Sequence, residues 1–319
     1  TGDKCAVASK AGVVAEGAWL WTWKNWIDQR FMKKYNDLPE MTEEALPLPQ
    51  AGLADPEALK EISAMAMRCS GCGAKVGANV LTRALQDLNP VDRDDVLIGL
   101  HEPDDAAVVE VPPGKVMVHT VDYFRAFIDD AYVFGQISAN HSLSDLFAMG
   151  AEAQSALAIA TIPYGIESKV EDTVRQLMAG AMKVLEDAGA ALVGGHTSEG
   201  AELALGFSAH GLIDKDRVLR KGGMMPGDRL ILTKALGTGT LFAADMQQKA
   251  KGRWIQDALK SMLLSNRIAA SLVYEHGATA CTDITGFGLL GHMVEMIRPS
   301  EVDVDIHMDR VPILDGAEE

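Results

Sequence analysis

The sequence predicts an α+β fold, with helices layered on sheets, rather than a doubly wound parallel sheet. Two observations carry this expectation. Strand-like and helix-like stretches interleave from about residue 96 onward, but not in strict βαβ order. Two candidate strands, Ala106–Glu110 and Lys115–Val121, also precede the first long helix. The chain has 319 residues, enough for two domains with real cores. Its 48% apolar and 23% charged composition is that of a soluble globular protein.

Four regions are expected in order: 1–50, 51–95, 96–222 and 223–319. The first holds four of the five tryptophans, between Trp19 and Trp26. Trp19, Trp23 and Trp26 share one helical face at i, i+4 and i+7, and Lys24, Arg30, Lys33 and Lys34 make the segment locally basic. Residues 17–35 therefore read either as an amphipathic helix lying on a membrane or a partner, or as a helix packed on its own parent domain. Leu46-Pro-Leu-Pro-Gln-Ala-Gly52 reads as a linker. Asp55-Pro56 then starts a helix, with Asp as N-cap and Pro at the first helical position, running to about Met67. After the glycine-rich run 69–75, a helix carries Val80, Leu81, Ala84, Leu85 and Leu88 on one face.

Further candidate strands are Ala153–Thr161, Ala190–Val193, Glu202–Ile213, Arg229–Thr233, Thr279–Thr282 and Val302–His307. Candidate helices are Val133–Met149, Ile166–Ala188, Trp254–His276 and Leu289–Ile297. A second domain beginning near Arg229 has only about 90 residues and is expected to be truncated. A chain beginning with Thr1 rather than Met is likewise expected to be cut from something longer.

Charge and cysteines bound the function. A net charge of −16 repels nucleic-acid phosphates, and it obliges any bound nucleotide to come with bridging cations. Cys5, Cys69, Cys72 and Cys281 are too few and too scattered for a disulfide scaffold, which fits a reducing, cytoplasmic setting. No apolar run reaches the roughly 18 residues of a membrane span, and no signal peptide is visible.

Three groups of residues can carry chemistry. Cys69-Ser-Gly-Cys72-Gly-Ala-Lys75 places a lysine three residues after a cysteine, which favours the thiolate, and Lys75 can also reach a phosphate. The Cys-x-x-Cys pair has no second pair to complete a zinc site, and taken by itself the loop reads better as a glycine-rich connector with incidental thiols. Asp104-Asp105, Asp122 and Asp283 stand beside candidate strands, where an aspartate is often only a turn residue. Asp145 lies on the small-residue face of an apolar helix and needs a partner. Several such acids converging would form a hard oxygen site for Mg²⁺. Gly194-Gly195-His196-Thr197 and Gly237-Thr-Gly239 each follow an apolar run and can present backbone N–H groups to phosphate. There is no Walker A loop, no G-x-G-x-x-G fingerprint after a strand and no nucleophile elbow.

Taken together, these stretches form a pattern. Cys72-Gly-Ala-Lys75, Asp104-Asp-Ala-Ala-Val108, Thr120-Val-Asp-Tyr-Phe124, Ser144-Asp-Leu-Phe-Ala-Met-Gly150, Gly194-Gly-His-Thr197, Thr233-Lys-Ala-Leu-Gly-Thr-Gly239 and Thr282-Asp-Ile-Thr-Gly-Phe-Gly-Leu-Leu-Gly-His292 occur in this order. Over roughly residues 68–319 the chain resembles the selenophosphate synthetases. The resemblance implies a fold shared with aminoimidazole ribonucleotide synthetase, thiamine monophosphate kinase and a hydrogenase-maturation protein. That fold pairs an N-terminal α/β domain, which dimerises through a shared β-barrel, with a C-terminal α/β domain, and ATP binds between them. It implies synthesis of selenophosphate from ATP, selenide and water, with release of AMP and phosphate, by a homodimer.

Carried over by position, Cys72 resembles the catalytic cysteine or selenocysteine and Lys75 the essential lysine. Asp105, Asp122, Asp145 and Asp283 resemble the carboxylates that hold Mg²⁺ on the triphosphate, with K⁺ a further cation. Asp122, Gly194, Gly195 and His196 resemble nucleotide-side residues. Many relatives have a cysteine where this chain has Ala74, and threonine-asparagine where it has Asn140-His141. Residues 1–38 resemble the tail of a type-II NADH dehydrogenase or related flavoprotein, so 1–45 is expected to be the remnant of an upstream flavoprotein domain. The alternatives are another ATP-using enzyme of the same fold and a non-catalytic nucleotide-binding module of a flavoprotein.

Overall fold

A computed structural model describes residues 6–10, 13–19, 22, 23, 26, 76–86, 88–101 and 106–318. The chain divides into two compact units, residues 1–54 and 55–319. In the first, β1 (Ala6–Lys10) and β2 (Val13–Gly17) form an antiparallel hairpin, with Ala6 opposite Gly17 and Lys10 opposite Val13. Residues 18, 19, 22, 23 and 26 are helical, and the Thr22 hydroxyl donates to the Ala18 carbonyl one turn back at 3.1 Å. The predicted helix from Asp55 to about Met67 and the Cys69–Lys75 loop lie outside the described residues.

The second unit is built on a four-stranded sheet of order β5-β8-β6-β7. Its strands are β5 (Lys115–Arg125), β6 (Glu152–Pro163), β7 (Ala191–Gly200) and β8 (Ala204–Asp214). A short pair, β3 (Val96–Ile98) and β4 (Val108–Val109), precedes it. β5 and β8 pair antiparallel from Lys115↔Asp214 to Arg125↔Ala204, β6 pairs antiparallel with β8, and β7 joins β6 in parallel. The mixed sheet is the α+β arrangement that the irregular strand order predicted.

Helix α1 (Ala78–Leu85) buries Val80 and Ala84 and is tied by Arg83, whose guanidinium donates to Glu167 and Glu171. Helices α2 (Ala131–Ala148) and α3 (Glu167–Ala188) pack against each other and against the sheet. Asp130 caps α2 by accepting from the Val133 N–H at 2.9 Å. α2 is buried almost all round, at Phe134, Ile137, Leu143, Leu146 and Phe147 among others, so it is the central helix of the core. Two glycines let it sit directly on α3. A Cβ on Gly135 would lie 2.0 Å from the Leu177 carbonyl oxygen, and a Cβ on Gly180 would lie 2.0 Å from that of Tyr132.

The C-terminal part contains α4 (Thr238–Met246), α5 (Gly252–Leu263), α6 (Arg267–Glu275) and α7 (Gly288–Ser300), with a small core of Leu241, Trp254 and Ala258. Several expectations are corrected here. The stretches 229–233, 279–282 and 302–307 are not strands; among the described residues the only pairing in this part is a bridge between Leu236 and Ile313. The period-2 pattern at 302–307 is real: Val302, Val304 and Ile306 are half-buried while Asp303, Asp305 and His307 are exposed. A strand also needs a partner, which periodicity does not report.

The single helix expected over Trp254–His276 is two helices. Leu264 is extended, with φ −73° and ψ 117°, and the Ser265 hydroxyl accepts the Arg267 N–H to start the second helix. The carbonyls freed at the break are taken up from outside: Asn140 Nδ2 donates to Met262 and Leu263, and Lys234 Nζ to Leu264. β3 and α4 were not anticipated.

Candidate active site

Three of the four predicted aspartates meet. Asp122 is on β5, in the part of the strand that faces α2. Asp145 is in the last turn of α2, and Asp283 lies in the loop before α7; all three are half-buried. Asp145 has the partner its position demanded, since the Thr120 hydroxyl, also on β5, donates to Asp145 Oδ2. His141, one helical turn before Asp145, places Nε2 3.8 Å from Asp122 Oδ1. The Phe124 ring meets the imidazole edge-on, with centroids 5.1 Å apart.

Asp145 lies within electrostatic reach of both Asp122 and Asp283. The Asp122 carboxyl is raised above its ordinary value by burial first; His141 opposes the rise and the Asp145 charge adds to it. Asp283 is raised by burial and then by Asp145, with His141 and His292 opposing. Cys281, two residues away, is pushed up by burial and by Asp283.

The Asp283 loop is pinned from α7. His292 is buried, and its Nε2 accepts the Thr285 backbone N–H at 3.1 Å, with Nδ1 3.4 Å from Glu295 Oε2. Sequence reasoning assigned no role to His141, Thr120 or His292. The i, i+4 spacing of His141 and Asp145 was the available signal for the first of these.

The predicted glycine loop takes a different form. Gly194, Gly195 and His196 belong to β7, paired with Leu157, Ala158 and Ile159 of β6 across a register shift. A Cβ on Gly195 would lie 2.2 Å from the Ala158 carbonyl oxygen, so this glycine permits close strand pairing. Gly237 is the N-cap of α4 with φ +123°, and the N-terminus of α4 presents the free N–H groups that the Gly237-Thr-Gly239 motif suggested. Cys72, Lys75 and Asp105 lie outside the described residues.

The donor chemistry suits a hard divalent cation. The site offers carboxylate oxygens whose charges are buried together and only partly offset. Among the described residues no three or more His, Cys, Asp or Glu side chains close into a protein-only metal cage.

Comparison with known proteins agrees. Residues 103–213 match the AIR synthase related protein N-terminal domain and residues 225–319 its C-terminal domain. Thiamine-monophosphate kinase from Stenotrophomonas maltophilia superposes with a TM-score of 0.61 at 23% identity, covering 75% of each chain. The hydrogenase maturation protein HypE in complex with ATP superposes with a TM-score of 0.60 at 19% identity, over 76% of this chain and 72% of that one. Fold and site thus define an AIR synthase-related protein. The selenide, water dikinase of Geobacter metallireducens is 40% identical over 254 residues, 79% of this chain and 74% of that protein. That of Caldanaerobacter subterraneus is 38% identical over 252 residues, 79% and 72%. The chain belongs to the selenide, water dikinase (selenophosphate synthetase) family.

Proposed function

We propose that the chain makes selenophosphate from ATP, selenide and water, releasing AMP and phosphate. The observation that carries this reading is the gathering of Asp122, Asp145 and Asp283 from three separate elements, in a chain of this family. The physical problem is an anion attacking a polyanion. Asp105, Asp122, Asp145 and Asp283 are assigned to hold Mg²⁺, with K⁺ as a second cation. Mg²⁺ bound there supplies charge neutralisation on the triphosphate.

The chain's own residues do the rest. Thr120 fixes one oxygen of Asp145 and leaves the other free, and His141 restrains Asp122. Lys75 is assigned to the phosphoryl oxygens, where its charge counts most in the transition state. Cys72, as the thiolate that Lys75 favours, is assigned to carry or position selenium. Gly194, Gly195 and His196 are assigned to the nucleotide side, together with the N-terminus of α4.

A homodimer is part of the proposal. Val121 and Tyr123 are 61% and 46% exposed on β5, an edge strand of the sheet, which supports a second copy covering this region. The domain assignment (1–50, 51–95, 96–222, 223–319) and the flavoprotein kinship of residues 1–38 belong to the same proposal, the latter resting on the tryptophan-rich basic segment.

The test is anaerobic incubation with ATP, Mg²⁺ and selenide, followed by phosphorus NMR. A selenide-dependent phosphorus–selenium signal with AMP supports the reading; ATP binding without selenide-dependent AMP overturns it. Cys72→Ser should lose selenophosphate formation more completely than ATP binding, and equal loss of both would sink the selenium-carrying role.

A further inference from the structure

We infer that Asn140, Ser144 and Asn266 are positioning residues, an inference that rests on the cation-site reading above. They strap the turn between α5 and α6 to α2 and so set the spacing of Asp145 and Asp283. The carboxylate site is split along a seam. Asp122 and Asp145 lie in the N-terminal domain match, 103–213, and Asp283 lies in the C-terminal one, 225–319. Their separation depends on what holds the two parts together.

The strap crosses this seam as a ring of hydrogen bonds closed by the 263–266 backbone. Asn140 Nδ2 donates across it to the Leu263 carbonyl at 3.0 Å and to the Met262 carbonyl at 3.5 Å. Asn266 Nδ2 returns across it to Ser144 Oγ at 2.9 Å, and that hydroxyl donates to the Asn140 carbonyl at 3.0 Å. On α2 the two anchors are one turn apart, and each immediately precedes a site residue: Asn140 before His141, and Ser144 before Asp145. A slide or twist of α2 against the α5–α6 turn therefore carries Asp145 with it.

Two details separate this strap from ordinary packing. Asn266 is the N-cap of α6, where an asparagine side chain normally accepts an N–H of the first turn. Here it makes no capping bond; Ser265 accepts the Arg267 N–H, and the Asn266 amide is turned to Ser144 instead. Asn140 is buried, yet its Oδ1 has no hydrogen-bond donor among the described residues. A buried acceptor without a donor costs free energy, so this side chain is placed for what its amide holds rather than for stability alone. Ser144 is buried as well, which keeps water from competing for these bonds.

The experiment measures ATP binding to the full chain by calorimetry over a series of Mg²⁺ concentrations. Asn266→Ser keeps a favoured N-cap residue but is too short to reach Ser144, and Ser144→Ala removes the acceptor. Each should raise the Mg²⁺ concentration needed for half-maximal ATP binding about tenfold, the effect of one buried hydrogen bond. The double variant should do no more than either single one, because both cut the same bond. Ile162→Val removes a methylene from the core at a residue outside the strap; it should lower Tm and leave the Mg²⁺ requirement unchanged. The inference alone is overturned, with the site reading intact, if the parent shows Mg²⁺-dependent ATP binding and the strap variants need no more Mg²⁺ than the parent. It is also overturned if the two losses add, or if Ile162→Val raises the requirement equally. ATP binding by the parent that is indifferent to Mg²⁺ overturns the site reading, and the strap's role with it.

Discussion

Replacing Gly135 by alanine tests whether close contact between α2 and α3 positions the site. The added Cβ would lie 2.0 Å from the Leu177 carbonyl oxygen, 3.0 Å from its carbon and 3.1 Å from the Ala181 nitrogen. All three are backbone atoms of a buried helix, so no side chain can swing aside. Real Cβ atoms essentially never approach closer than 3.0 Å, so the helices must part by about 1 Å. A gap of that size forfeits a quarter to a half of the dispersion energy across the contact, and overpacking of this kind costs ~1–3 kcal/mol or more. Alanine returns ~1 kcal/mol of helix propensity. Because the clash is with fixed backbone, the cost is taken at its upper end of about 3 kcal/mol, and the net expectation is a loss of about 2 kcal/mol, or a fall of about 4–8 °C in Tm. Thermal unfolding followed by circular dichroism measures this, with Gly252→Ala as control. Nothing lies within 4 Å of that Cβ, so the control should be neutral or slightly stabilising. Because α2 carries Asp145 and His141, Gly135→Ala should also weaken Mg²⁺-ATP binding. Gly135→Ala melting within a degree of the parent would refute the packing argument.

Other perturbations address the carboxylates and their supports. Asp283→Asn removes a buried charge raised by burial and by Asp145, so the ligand-free Tm at neutral pH should hold or rise. The stabilisation by Mg²⁺-ATP, about 2.7 kcal/mol at a hundredfold excess over Kd, should fall away in a thermal-shift titration. Asp122 and Asp283 are both raised in the folded state, so the native protein holds protons that the unfolded chain has released. Ligand-free stability should therefore decline as pH rises from about 4 through these raised values. Asp95 acts oppositely. Arg93 lowers it to about 2, so its contribution is present above about 4 and is lost as pH falls toward 2. Urea unfolding across a pH series, with Asp95→Asn and Asp283→Asn in parallel, separates the two. Asn140→Ala leaves the Met262 and Leu263 carbonyls without their donor and should cost about 1–3 kcal/mol by urea unfolding.

Much of the sheet was legible because its strands alternate or run apolar between turn residues, and α2 and α3 were legible because their lengths exceed any strand. The C-terminal part was read less well, for identifiable reasons. The Arg229–Thr233 run looks like a strand, yet Ile231 is 75% exposed and has no pairing partner among the described residues. The break at Leu264–Asn266 depends on Asn140 and Lys234, which reach the freed carbonyls from far away in sequence. Gly194-Gly195 resembled a phosphate loop, but the Ala158 carbonyl approaches so closely that only glycine fits in the strand there. For the site, each aspartate alone was indistinguishable from a turn or cap residue. Only Asp145 announced itself, because an acid on an apolar helix must find a donor. The convergence of Asp122, Asp145 and Asp283 is a property of the tertiary fold, which places β5, the end of α2 and the start of α7 around one point.

That convergence also explains why the supports are distributed as they are. Asp145 raises both Asp122 and Asp283, which burial already pushes up, and a site left to itself would relax by turning its carboxylates to water. Each route out is closed by a different element. Thr120 holds Asp145 from the neighbouring strand, His141 faces Asp122 from one turn earlier on α2, and His292 clamps the backbone of the Asp283 loop. α2 itself cannot shift, because Gly135 and Gly180 leave no gap against α3. The supports fix geometry while leaving net negative charge uncompensated, and a structural ion-pair network would have been neutralised. Rigid placement of unneutralised carboxylates is the arrangement expected of a site that recognises a cation together with the anion it carries, since preorganisation removes the reorganisation cost at the moment of binding.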